Sequence, residues 1–139
     1  MSQFSYRVRE YLWFTAPMEL DVFCNLLADK LELPEFRFDA ENVYAWGITK
    51  IEHGHVEVNI SRKHNHGETL FHEPVCILFL VDNTALQLYD SEWITKNLVP
   101  VYGQIVANLT GQRAYYGNIE YLGDENFSYH PTIEFEPHS

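Results

Sequence analysis

Seven consecutive apolar residues, Val75-Cys76-Ile77-Leu78-Phe79-Leu80-Val81, constrain the fold more than any other stretch. A run this short, rich in branched and aromatic side chains, predicts a central strand with apolar material against both of its faces. Val56 to Ile60 predicts a neighbour of a different kind. Val56, Val58 and Ile60 alternate with Glu57 and Asn59, the pattern of a strand with one buried side. Tyr6 to Phe14 is a third strand, with Tyr6, Val8, Tyr11 and Trp13 set among Arg7, Arg9 and Glu10; the alternation slips near Glu10, which predicts a bulge.

Two segments have helical period. After Thr15-Ala16-Pro17, with Pro17 suited to a first helical position, Leu20, Phe23, Leu27 and Leu31 fall on one stripe, joined by Cys24. Glu19 and Asp21 suit its first turn, and Pro34 ends it. A second helical region spans about Ser91 to Leu109, with Leu98, Val101, Tyr102, Ile105 and Leu109 as its apolar face and Gly111 as its C-terminal cap. Pro100 predicts a kink or a fresh start within it.

The remaining segments read as β-structure. They are Phe36–Phe38, a turn at Asp39–Asn42, Val43–Ile48, a turn at His53-Gly54, Arg113–Leu122 and a short last strand at Thr132–Phe135. Residues 63–74 read as the longest polar loop. Phe38, Tyr44 and Trp46 are expected in the core. The order predicts an α+β fold: four to six mostly antiparallel strands with two helices packed on one face, in a single domain over residues 1–139.

Charge restricts the partners. Residues 1–63 carry ten acidic and seven basic side chains, a net of −3, whereas residues 64–139 carry ten acidic ones against only Lys96 and Arg113, a net of −8. Nucleic acid and anionic membranes need clustered Lys and Arg, so this balance disfavours both. It favours a basic protein instead. The two cysteines lie in apolar runs and suit buried thiols rather than a disulfide framework. With no apolar leader and no run of membrane-spanning length, the expected compartment is the cytoplasm.

No complete catalytic motif is present. His53 and His55 could share a strand face, and His64, His66 and His72 lie near Glu68 and Glu73, residue types that bind zinc; yet there is no helical HExxH and no cysteine in the group. No cofactor or metal is therefore expected. His64-Asn65-His66 is three adjacent letters rather than a nuclease site, and there is neither a nucleophile elbow nor a phosphate loop. A small histidine/carboxylate enzyme, with or without a metal, and a ligand-binding regulatory domain with a pocket near Tyr44 and Trp46 remain the alternatives.

Glu41-Asn42-Val43-Tyr44-Ala45-Trp46-Gly47 and Val58-Asn59-Ile60-Ser61-Arg62-Lys63-His64-Asn65 resemble segments of small acidic immunity proteins of bacterial polymorphic-toxin systems. That resemblance implies a cytoplasmic protein without catalysis of its own, which blocks a toxin domain by covering its active site or a nearby surface. Tyrosines mixed with carboxylates suit such a contact. The expected contact residues are Asp90, Glu92, Tyr115, Glu120, Tyr121, Asp124 and Glu125, with Tyr115 and Tyr121 on one strand face and Tyr116 and Glu120 on the other.

Overall fold

The computed structural model describes residues 6–124 and 126–138. Strands β1 (Tyr6–Phe14), β2 (Arg37–Glu41), β3 (Tyr44–Ile51), β4 (Val56–Asn65), β6 (Val75–Asp82), β7 (Ala114–Gly123) and β8 (Asn126–Phe135) form one sheet in the order β2-β3-β4-β6-β1-β7-β8. The short β5 (Glu68–Thr69) pairs with the end of β4. Neighbours run antiparallel throughout. Helices α1 (Leu20–Leu31), α2 (Ser91–Asn97) and α3 (Val99–Thr110) pack on one face. The fold is α+β as expected, with more strands and one more helix than the sequence pattern indicates.

The apolar run is indeed central, as β6 lies between β4 and β1. Val75, Ile77, Phe79 and Val81 face the helices and are all but inaccessible, as are Val56, Val58 and Ile60 on β4 and Leu12 and Phe14 on β1. Burying each such side chain contributes roughly 1.5–3 kcal/mol relative to leaving it in water. Cys76, Leu78 and Leu80 point the other way and stay half-buried, because no helix covers that side. The expectation of a strand covered on both faces therefore holds on one face only.

The first helix begins at Leu20, with Glu19 at its N-cap, and not at Pro17. The cause is Arg62. Its Nη2 donates to Ala16 O and its Nη1 to Met18 O, each at 2.6 Å, and this holds residues 16–18 in a non-helical bend before the helix can start. In the second region Pro100 sits in the first turn of a new helix, so α2 stops at Asn97 and α3 starts at Val99. That restart turns the buried face to Val99, Tyr102, Val106 and Ala107, and leaves Val101 exposed.

Two hairpins are tighter than expected. Glu41 pairs with Tyr44 and leaves only Asn42-Val43 as the turn; Asn65 pairs with Glu68 across His66-Gly67, both at positive φ. Two-residue turns of this kind match the twist of the strands they join. The polar loop thus contains the end of β4 and all of β5. His53 and His55 lie in the turn before β4 and not on a strand. The bulge in β1 falls between Val8 and Glu10.

Candidate functional site

Strand register divides the sheet into a helix-covered face and a helix-free one. On β3, Ala45 and Gly47 turn toward the helices because α1 comes close: a Cβ on Gly47 would lie 3.2 Å from Cys24 Sγ and 2.8 Å from the Phe38 ring. Tyr44 and Trp46 must then point away. They are half-buried on the helix-free face rather than in the core, and Phe38 is also outside it, at 45% exposure on the edge strand β2. The expectation of core positions is corrected for Tyr44 and Trp46 by the small residues that α1 demands on β3, and for Phe38 by its place on the edge strand, where its ring lies on the helix side beside Gly47.

The helix-free face gathers further aromatics. Trp13 lies at its centre, its ring 6.1 Å from Tyr115 and 5.3 Å from Tyr129. A cleft of about 340 Å³ is lined both by Tyr44, Lys63 and Glu73 and by Ile119, Phe127 and Tyr129. Those two groups belong to strands that are not neighbours, so the β7–β8 hairpin bends over the sheet. Leu78 and Cys76 form part of the cleft wall. Burial pushes the Cys76 thiol up to about 12, and the adjoining Tyr129 hydroxyl rises to about 12, also mainly through burial. Both are neutral at pH 7, so the floor of this cleft is neutral, with Lys63 and Glu73 on its wall.

The structure separates the expected contact residues. Tyr115 is half-buried against Trp13, and Tyr121 follows on the same face near the hairpin tip, 61% exposed and 5.2 Å from Phe127. Asp124 occupies the turn of that hairpin at φ 52. Glu120 turns to the other side, where His130 Nε2 lies 3.6 Å away. Tyr116 also faces the helices and donates to Glu10 Oε2 at 2.6 Å. Glu92 belongs to α2, on the helical side of the sheet, and Asp90 precedes that helix as its cap, accepting from Trp93 N at 2.9 Å. Glu125 lies outside the described residues.

The second-half carboxylates are likewise dispersed. Glu134 and Glu136 flank Arg113, at 3.7 Å and 2.7 Å. Asp82 is buried, accepts from Thr84 N and Oγ1, and has His55 Nδ1 at 3.5 Å; those contacts, led by the Thr84 amide, hold its carboxyl below the usual range. The histidines do not converge. His55 meets Asp82, His64 lies at the end of β4, and His66 lies in the adjoining turn. No group of three or more His, Cys, Asp or Glu side chains that could hold a metal occurs among the described residues.

A second feature lies on the helical side, where α1 meets β2 and the β4–β5 hairpin. A cleft of about 430 Å³ opens there, with Arg62 and His64 among its lining residues. Arg62 is 2% exposed, with the Phe71 ring 5.0 Å from its guanidinium carbon. Burial lowers its pKa, opposed by Glu19 nearby. Its Nε is buried and has no hydrogen-bond partner, and neither does His64 Nε2. Each such orphan costs about 1–3 kcal/mol. A pocket between sheet and helices lined by Trp46 and Tyr44 was one alternative from the sequence; this cleft includes Trp46 but not Tyr44 in its lining, and the centre formed by Trp13 and Tyr129 was not expected. No family model, curated protein or solved structure matches the chain.

Proposed function

We propose that this chain is a protein-binding inhibitor, an immunity protein that neutralises a basic toxin domain. The contact is the helix-free sheet face together with the tip of the β7–β8 hairpin. One observation carries this reading: Tyr44, Trp46, Tyr115 and Tyr129 are half-buried, around a buried Trp13, on a face that no helix covers. Trp and Tyr are the residue types that dominate binding energy at protein interfaces, since their rings supply area at low entropic cost. Asp39 and Glu41 on the edge strand β2, with Glu73 and Glu134 elsewhere on this side, set carboxylates around that floor. Arg37, Lys50 and Lys63 share this face, so the rim is mixed in sign, and the carboxylates at Asp39, Glu41, Glu73 and Glu134 are the groups that would pair with a basic partner. The contact set therefore shifts from the seven residues expected from sequence toward Tyr44, Trp46, Tyr115 and Tyr121. Asp90 and Glu92 fall outside it.

Isothermal titration against a basic toxin domain sought among the genes flanking this one tests the proposal. Trp46→Ala is expected to weaken binding by about 2 kcal/mol, roughly thirtyfold, as truncation of a central aromatic anchor does. Glu92→Lys, on the opposite side, is expected to leave the affinity nearly unchanged. Equal affinity for wild type and Trp46→Ala, or no binding by either, rejects the reading.

A further inference from the structure

We infer that the cleft beneath the β7–β8 hairpin, on the helix-free side of the sheet, binds a small uncharged aromatic molecule of the phenol or indole class. The inference does not rest on the protein-binding reading, and no partner enters its test. It begins with how the hairpin leaves the sheet. β7 pairs with β1 only from Ala114 to Gly117. At that same point Tyr116 faces Ile133 but Gly117 faces Pro131, which leaves Thr132 as an extra residue in β8. A bulge of this kind bends and twists the strands it interrupts. The outer part of the hairpin, no longer paired with β1, turns over the sheet. Its near side is pinned there, since Tyr129 lies 5.3 Å from Trp13 and its hydroxyl meets the Cys76 thiol. Beside that contact a cleft of about 340 Å³ remains between hairpin and sheet.

The walls select the ligand. Tyr11, Tyr44, Phe127 and Tyr129 line the cleft together with Leu78 and Ile119, and none of these six is closed to solvent. Aromatic walls take another ring edge-on or in offset stacking, each such pair adding about 0.5–1.5 kcal/mol beyond the area it buries. The volume lies at the small end for ligand clefts and suits one bicyclic ring. Only Lys63 and Glu73 bring full charges to the lining, and they are opposite in sign. A net charge on the ligand would be favoured by one and opposed by the other. A neutral ring escapes that conflict, and a single O–H or N–H on it gives the Glu73 carboxylate a donor.

The test titrates the whole chain with indole and with p-cresol, following the Leu78 and Ile119 methyl resonances by NMR. Val101, exposed on α3, serves as the reference. Saturable ring-current shifts are expected at the two cleft residues and none at Val101. Cyclohexanol, which lacks the aromatic ring, and benzoate and benzylamine, which carry charge, are expected to bind about tenfold weaker or worse. Ser61→Phe sets a ring into the cleft from β4 and is expected to weaken indole about tenfold. Ile119→Ala takes away part of the hairpin wall, is read at Leu78, and is expected to weaken indole about threefold; it decides the matter should Ser61→Phe lose the wild-type circular dichroism. The inference is overturned if neither compound shifts the cleft methyls saturably, if cyclohexanol, benzoate or benzylamine binds as tightly as indole, or if either variant, folded by circular dichroism, binds indole undiminished.

Discussion

Arg62 Nη2 donates to the carbonyl of Ala16 at 2.6 Å and so fixes where the first helix begins. In a helix begun at Pro17, the Ala16 carbonyl would accept from the chain four residues on. Here a buried guanidinium holds it, and a second bond from Nη1 holds Met18 O. Arg62→Met keeps most of the apolar stem and leaves both carbonyls without their donor. We expect a loss of about 2–4 kcal/mol, the scale for removing a charged donor from buried acceptors. Urea unfolding measures it. A loss under about 0.5 kcal/mol, the range of ordinary surface changes, would show that water replaces the guanidinium at no net cost.

Two glycines are expected to differ in their response to alanine. At Gly117 an added Cβ would meet the His130 carbonyl oxygen at 2.1 Å and Pro131 Cα at 2.9 Å, both backbone atoms of the paired strand. At Gly103 its nearest contacts would be atoms of the Phe135 ring, the first at 2.4 Å. A ring at the end of β8 can swing aside, and alanine gains about 1 kcal/mol in helix propensity over glycine. A backbone ladder cannot give way so easily. Gly117→Ala should therefore cost about 2–3 kcal/mol, and Gly103→Ala clearly less, by thermal or urea unfolding. The reverse order would mean that the β7–β8 hairpin is not paired as described.

Much of this architecture is legible in the chain. The alternation of Val56, Val58 and Ile60 and the stripe of Leu20, Phe23, Cys24 and Leu27 are local patterns, and each buried the face it predicts. What stayed hidden depends on contacts between distant segments. Nothing near Pro17 announces that Arg62 will intercept the carbonyls of Ala16 and Met18. Tyr44 and Trp46 have the composition of core residues, and only the approach of α1 to Gly47 turns them outward. Strand period placed Tyr115 and Tyr116 on opposite faces, but not which face the helices would take. The dispersal of the carboxylates is likewise tertiary, since Asp82, Asp90 and Glu134 each find a local partner.

Alkaline pH should weaken the fold through its buried thiols. Burial, with a smaller push from Asp21, raises Cys24 to about 12, and burial raises Cys76 to about 12 from an ordinary value of 9.0. Below 9.0 both thiols keep their protons whether the chain is folded or not, and their effect on stability is constant. Above it the unfolded chain releases protons that the folded one retains, so stability declines as pH climbs from about 9 toward about 12. Tyr102, raised mainly by burial, acts in the same direction. Urea midpoints followed from about pH 8 to about pH 11 should fall, and more gently in Cys24→Ala. A flat profile would contradict the burial of these groups.

The helix-free face should prove dispensable for folding, in contrast to the opposite one. Phe79 is fully buried and meets Tyr102 edge-on with ring centroids 5.0 Å apart. Truncating it to alanine removes a ring from a packed interior and should cost about 3–5 kcal/mol. Trp46 is larger, yet it lies half-buried on the side that no helix covers. Its ring already spends part of its area in water, and its removal opens no closed cavity, so Trp46→Ala should cost less than about 1.5 kcal/mol. A large side chain that stability does not require is the mark of a residue retained for contact with something else. Comparing the two variants by urea unfolding decides the matter: if Trp46→Ala unfolds the chain as readily as Phe79→Ala, the tryptophan is a core residue, and the aromatic face loses its claim as a binding surface.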